Sequence, residues 1–307
     1  MSAVGARVLA QGKINLFLRV LTREVSGFHQ LETLFTRISL GDDVVVRVDT
    51  DERSLRFTGD ALPQEGLGPP TANLAWRAAI AFVEAAGWPK GFSIDIEKRI
   101  PVGGGLGGGS ADAGGVLRAL NALAPKPLSP AELLQLAASL GADTPFLTQD
   151  VSTLALAWGR GERLLTLSPL AERNVMLFVF GHGVPTKDAY GWFTRTPAPP
   201  HGAALLDPHR LSLWSEVAAR AHNDFENVVL PRFRLLELTL SGARKGIAAG
   251  HFGEDAVALL SGSGSSVFLA MREPTERRSN WMFPLSAGVK VVQATTSTRV
   301  EPVELFD

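Results

Sequence analysis

Three observations predict a two-domain chain built from both strands and helices. Its 307 residues exceed what one ordinary domain needs. Period-two apolar alternation recurs beside apolar runs of helical period. Between one of each lies the stretch 101–115, PVGGGLGGGSADAGG, in which six of the seven positions 103–109 are glycine.

Composition narrows the function classes. Lys and Arg number 30 against 31 Asp and Glu, a net charge of −1, so no overall field favours nucleic acid or an anionic membrane as partner. The lack of cysteine excludes disulfides, thiolate metal sites and cysteine nucleophiles, and fits a cytoplasmic protein. Arg7, Gln11 and Lys13 interrupt any secretory h-region, and no run approaches the roughly 18 apolar residues of a membrane span.

Residues 7–20 alternate as a strand, a polar-glycine break at Gln11-Gly12, and a second strand with Lys13 at its start. Taken alone, Lys13 reads as a lysine snorkelling at a sheet edge. A turn at 23–29 leads to strands at 31–40 and 44–48, then a polar loop over 50–70. His29 and Glu32 are three apart with no second histidine nearby, which favours a turn-stabilising or ligand-contacting histidine over a zinc ligand. Residues 73–87 form an amphipathic helix with Leu74, Ala78, Ala81, Phe82 and Ala85 near one face and Gly87 as its stop.

A strand at 92–96 enters the glycine stretch and a helix at 111–123 leaves it, placing Ser110 or Asp112 in the first helical turn. Glycines let backbone N–H groups turn toward a ligand, and a helix N-terminus favours an anion, so the arrangement reads as a phosphate cradle. Gly103-x-Gly105-x-x-Gly108 matches the dinucleotide fingerprint, but the acidic residue expected about 20 positions later is replaced by the segment APKPLSP. The Gly-Lys-Ser/Thr of a Walker A loop is absent, as are the HRD and DFG motifs of protein kinases. The glycines alone leave several nucleotide folds open.

A second helix at 129–140 carries Ser129 as N-cap, Pro130 at its first position and Glu132 in a capping box, and ends at Gly141. Asp143 follows in a proline-restricted turn, ADTPF, where in isolation it reads as turn chemistry. Strands at 153–158 and 163–167 flank a hairpin turn, GRGE. The apolar strand 175–180 opens the second domain, with the boundary between 166 and 174. Beyond it the pattern predicts a helix starting at 186, a loop over 197–208, helices at 212–221, 224–229, 233–243 and 253–260, a Ser/Gly turn at 261–266, and strands at 267–270 and 289–294.

Taken in order, the strand bearing Lys13, PVGGGLGGGSADA, and LSGSGSSVF at 260–268 resemble the galactokinase, homoserine kinase, mevalonate kinase and phosphomevalonate kinase (GHMP) superfamily. Six further stretches resemble, within it, the 4-diphosphocytidyl-2-C-methyl-D-erythritol kinase family: GKINLFLRV (12–20), SGFHQLETLF (26–35), TANLAWRAA (71–79), GADTPFL (141–147), GVPTKDAY (183–190) and HNDFENVV (222–229). The resemblance implies an α+β, two-lobed GHMP kinase fold. Its N-terminal lobe (1–168) would be ribosomal S5 domain 2-like, its C-terminal lobe would span 169–307, and the active site would lie in the cleft between them. It implies ATP as phosphate donor with Mg²⁺, and phosphorylation of the 2-hydroxyl of 4-diphosphocytidyl-2-C-methyl-D-erythritol in non-mevalonate isoprenoid precursor biosynthesis. The alternative is a GHMP-type kinase of another small alcohol, such as homoserine or a mevalonate-type acid.

Carried onto this sequence, the resemblance makes Asp143 the catalytic aspartate that takes the hydroxyl proton and Lys13 the lysine beside it. The ATP loop, 101–111, contributes Pro101, Gly103, Gly104, Gly105, Leu106, Gly107, Gly108, Gly109 and Ser110, with Asn73, Leu74 and Lys98 as adenine or ribose neighbours. His29 would meet the cytosine edge. Phe28, where the family often has tyrosine, would stack on the base, with Tyr190 on the opposite face and Asn15 and Asp143 at the methylerythritol end. Ala111 stands where many relatives have a second serine, which shifts any hydroxyl role to Ser110. No metal ligand is assigned.

Overall fold

The computed structural model describes residues 4–64, 66–193, 207–272 and 288–307. In chain order its first half comprises β1 (Gly5–Arg23), β2 (His29–Arg47), β3 (Arg53–Thr58), α1 (Leu74–Ala86), β4 (Phe92–Glu97), α2 (Gly108–Leu123), α3 (Pro130–Leu140), α4 (Thr144–Thr148), β5 (Leu154–Gly159) and β6 (Arg163–Leu167). The second half comprises β7 (Asn174–Phe180), α5 (Thr186–Gly191), α6 (Trp214–Arg220), β8 (His222–Asn223), α7 (Glu226–Val229), α8 (Arg234–Ala248), β9 (Val257–Leu260), β10 (Val267–Met271), β11 (Val289–Thr295) and β12 (Val303–Phe306).

Two sheets organise these elements. The first runs β12-β1-β2-β4-β3, with β5 pairing on β2, β6 on β5, and β8 parallel to β1. The second is β11-β7-β10-β9, antiparallel throughout. The α+β class expected from the sequence is the one observed. Among the described residues no helix is long and apolar enough to cross a membrane.

One core lies between the first sheet and helices α1 and α2. Phe82 and Phe92 are fully buried there, and each contributes on the order of 1.5–3 kcal/mol by leaving water. Helix α2 is buried along most of its length because its residues are small where it meets its neighbours. A Cβ on Gly114 would sit 2.7 Å from the Leu147 carbonyl oxygen, so this position is what lets α4 lie against α2. A second core joins α8 to the second sheet through Leu236, Leu240, Phe178 and Leu269.

Several local expectations change. The break at Gln11-Gly12 is a register shift inside one continuous strand, because β1 keeps its pairing with β2 on both sides of it. Likewise the strands expected at 31–40 and 44–48 are one strand, β2, which ends at Arg47. The polar loop over 50–70 contains β3, a half-buried strand whose alternation is weak because neither face is fully buried. Residues 253–260 are not a helix: 257–260 form β9, since a short apolar run has no decisive period and pairing with β10 settles it. The Ser/Gly turn therefore joins two strands. The segment around Asp143 is not only a turn, because α4 starts at Thr144. Strand β12, past the last expected strand, pairs with β1. The loop expected over 197–208 lies, apart from Asp207 and Pro208, outside the described residues.

Candidate active site

The glycine loop takes its shape from alternating backbone signs. Gly103, Gly105 and Gly107 have φ of +74°, +75° and +75°, and α2 begins directly after them at Gly108. The loop is held from outside through its carbonyls: Gly104 O accepts from Ser266 N at 3.1 Å, Gly105 O from Ser261 Oγ at 2.9 Å, and Leu106 O from Lys13 N at 2.9 Å. This last bond is where the β1 register shift meets the loop. The first-turn N–H groups of α2 have no partner within the helix and carry its positive dipole end, which makes the loop and helix start a fitting seat for phosphate.

The turn 261–266 is fastened in its own right. Asn223, fully buried, donates from Nδ2 to Leu260 O and Gly262 O at 2.8 Å each, and its Oδ1 accepts from Phe225 N at 3.0 Å.

Below the loop, Lys98 is buried between Asp42 and Asp112, with its ammonium 2.6 Å from Asp112 and in contact with Asp42. Asp42 also accepts from Arg99 N and Ile100 N at 2.6 and 2.8 Å, so the strand leaving β4 is pinned where it turns into the loop. Burial pushes the Asp112 carboxyl up to about 7, against the attraction of Lys98, because two carboxylates share one ammonium. Lys98 thus belongs to the floor of the site. Asn73 caps α1 by accepting from Ala75 N at 2.8 Å, and Leu74 packs beside Gly109.

Beside the loop, the Lys13 ammonium lies 3.2 Å from an Asp143 carboxylate oxygen and donates to Asn15 Oδ1 at 2.8 Å. Asn15 Nδ2 donates in turn to Thr33 Oγ1 at 2.8 Å, and Thr33 to Phe17 O at 2.6 Å. Asp143 occupies the cap position of α4 but makes no capping hydrogen bond with its side chain, so its carboxylate is directed to Lys13. Arg37, buried behind it, donates to Phe146 O and Gln149 O at 2.8 Å each and anchors α4.

Lys13, Asn15, Asn73, Leu74, Lys98, Pro101, the whole run from Gly103 to Ser110, Asp143 and Tyr190 line one cavity of about 440 Å³. Phe28 and His29 are not in that lining. His29 is joined to it by stacking on Tyr190, centroids 5.0 Å apart and planes 15° apart, and Tyr190 also meets Phe225 edge-on at 4.9 Å. Phe28, 56% exposed, stands at the β1–β2 hairpin tip with the Arg160 guanidinium 4.0 Å above its ring. Burial, aided by the Asp143 charge, pushes the Tyr190 phenol well above its ordinary value. Burial and the charge of Arg23 hold His29 below its own.

Sequence reasoning missed Thr33, Asn223, Phe225 and Arg160 as parts of this site. Asn223 and Phe225 lie in HNDFENVV and Arg160 in the hairpin turn GRGE, so their stretches were visible while their direction was not. Among the described residues, no cluster of three or more His, Cys, Asp or Glu side chains is placed to hold a metal.

Residues 73–151 match the model of the GHMP kinases N terminal domain. The 4-diphosphocytidyl-2-C-methyl-D-erythritol kinase of Geobacter sp. (strain M21) is 35% identical over 85% of this chain and 88% of its own. A crystal structure of 4-(cytidine 5'-diphospho)-2C-methyl-D-erythritol kinase superposes with a TM-score of 0.69 at 35% identity, covering 94% of this chain and 98% of that one. The homoserine kinase of Cytophaga hutchinsonii ATCC 33406 superposes equally well, at 0.70 over 100% and 98% of the two chains, but at 17% identity it shares the fold alone. With glycine loop, Lys13 and Asp143 gathered in one cleft, and with identity extending over most of both chains, this protein belongs to the 4-diphosphocytidyl-2-C-methyl-D-erythritol kinase family of GHMP kinases.

Proposed function

We propose that this kinase transfers the γ-phosphate of ATP to the 2-hydroxyl of 4-diphosphocytidyl-2-C-methyl-D-erythritol, a step of non-mevalonate isoprenoid precursor synthesis. The observation that carries the reading is the Lys13–Asp143 pair, 3.2 Å apart, set beside the glycine loop in the lining of one cavity. The triphosphate lies along Gly103 to Ser110, with the base toward Asn73 and Leu74. As the acceptor oxygen bonds to the γ-phosphorus and the bond to the ADP oxygen breaks, Asp143 takes the hydroxyl proton. Lys13, fixed by Asn15, neutralises charge beside the acceptor oxygen. Loop amides aimed at the phosphates supply the larger share, since phosphoryl transfer depends mainly on positioning and charge neutralisation.

Mg²⁺ fits this donor set, because it prefers oxygen ligands, keeps several waters and binds through substrate phosphates with only one or two protein groups. The Ser110 hydroxyl, in the cavity lining at the start of α2, is the protein oxygen that would hold it. When bound, it neutralises phosphate charge. The cytosine edge meets His29, and its faces meet Phe28 and Tyr190. We place the lobe boundary at 168/169; the second sheet begins with β7 at Asn174, and β12 reaches back to β1.

The test is ADP release with and without the cytidyl alcohol, together with phosphorus NMR of the product. ADP formation that depends on the alcohol, with a new phosphomonoester on it, is expected. Equal ADP release in both reactions, or a preference for homoserine or mevalonate, would overturn the assignment.

A further inference from the structure

Among the described residues, three cations line the cavity: Lys13, Lys98 and Arg160. Lys13 is held by Asp143 and Asn15, and Lys98 by Asp42 and Asp112. Arg160 is held differently. Its side chain is 45% exposed, lies over the Phe28 ring and pairs with Glu24 at 2.8 Å. An ion pair in solvent is a weak hold, so the guanidinium is free to exchange Glu24 for a stronger anion.

Its backbone, in contrast, is well placed. Arg160 sits in the β5–β6 turn, where its N–H donates to the Glu162 carboxylate at 2.7 Å. The adjoining Gly161 backs onto Ala142, with a Cβ there 3.5 Å from the alanine methyl. Ala142 precedes Asp143. Arg160 therefore stands between Phe28, at the base end of the acceptor, and Asp143, at its hydroxyl end. In the cytidyl alcohol the diphosphate likewise lies between the base and the reacting alcohol.

We propose that Arg160 is a specificity-determining residue that binds the diphosphate bridge of the acceptor, releasing Glu24 as it does so. The planar fork of guanidinium N–H groups suits two phosphate oxygens at once. Glu24 holds the head near the cleft before the acceptor arrives, and Phe28 supports it from below. Acceptors without a diphosphate gain nothing from this residue. The inference rests on the cytidyl alcohol being the acceptor.

Calorimetric binding of CDP and of cytidine to the wild type, Arg160→Met and Arg160→Lys tests it, with KM for ATP measured alongside. The wild type is expected to bind CDP at least about tenfold more tightly than cytidine, as a charge-assisted pair implies. In Arg160→Met that ratio collapses while cytidine affinity and KM for ATP stay as they were, and Arg160→Lys restores part of it. An unchanged ratio in Arg160→Met overturns the proposal, as does a raised KM for ATP with the ratio intact. A wild type that binds neither compound overturns the acceptor reading itself, and this inference with it.

Discussion

The Lys13 ammonium and the Asp143 carboxylate meet at 3.2 Å with unequal access to solvent: 4% of the lysine side chain is exposed against 31% of the aspartate's. The cation is thus fixed in the wall by Asn15 while the carboxylate faces the cavity, an arrangement that leaves Asp143 the group able to reach a substrate hydroxyl. Asp143→Asn is expected to lower kcat by about 10²–10⁴, the usual weight of a general base, and to leave ATP affinity unchanged. Single-turnover rates with the cytidyl alcohol and separate nucleotide titration check both halves, and a variant with wild-type turnover excludes the proposed base.

Gly105 and Gly109 separate backbone shape from mere lack of a side chain. A Cβ on Gly105 would lie 2.1 Å from Ser261 O at φ of +75°, whereas on Gly109 it would meet only Leu74 at 3.8 Å. Gly105→Ala is expected to lower Tm and weaken ATP binding, the left-handed backbone alone costing about 1–2 kcal/mol. Gly109→Ala, in the first turn of α2, keeps Tm or raises it. Equal melting of the two variants contradicts the role assigned to the loop's backbone.

Asn223 acts on the phosphate loop through the turn 261–266. Asn223→Ala leaves two buried carbonyls and the Phe225 N–H without their partner, a loss of about 1–3 kcal/mol for each group left unsatisfied, and frees the turn that holds Gly104 and Gly105. KM for ATP should rise more than KM for the acceptor. A drop in Tm with both constants unchanged would show that Asn223 serves the fold alone.

Asp112 gives stability a pH dependence of definite sign. Its carboxyl is raised from 3.8 to about 7 in the folded protein, so the stability it contributes is fully present below the unfolded value and lost as pH rises through about 7. Tm should fall in the wild type as pH rises from the unfolded value of 3.8 to about 7, where folded Asp112 gives up its proton, and Asp112→Asn should flatten that slope. Scanning calorimetry across the range decides it; a slope unaltered by the substitution assigns the effect elsewhere.

Phe28→Ala is expected to raise KM for the cytidyl alcohol, by the equivalent of about 1–3 kcal/mol of base stacking, and to spare KM for ATP. Tyr190→Ala should do the same, while Tyr190→Phe retains the ring and most of the affinity. If steady-state constants for the acceptor are unmoved in all three variants, the base sits elsewhere.

Much of this protein was readable where chemistry is local. The capping box of α3 at Ser129 and Glu132, the Asn73 start and Gly87 stop of α1, the β5–β6 hairpin and the helix following the glycines are each set by residues within a turn of one another. The site's parts were legible through the GHMP resemblance of their stretches. Less visible was how they face: Lys98 stood out as a nucleotide neighbour, and the fold buries it between two aspartates, one of them on a distant strand.

By itself the sequence determined the capped helices α1 and α3, the β5–β6 turn, and that a glycine-rich anion seat lies at the start of a helix, because steric limits and periodicity act over a few residues. Only the tertiary structure decided that 257–260 is a strand, that the Gln11-Gly12 irregularity is a register shift aiming Lys13 N at Leu106 O, and that Lys13 meets Asp143. Those outcomes depend on which distant strands pair and which charged groups lose water together. Such long-range terms leave no period in the local pattern.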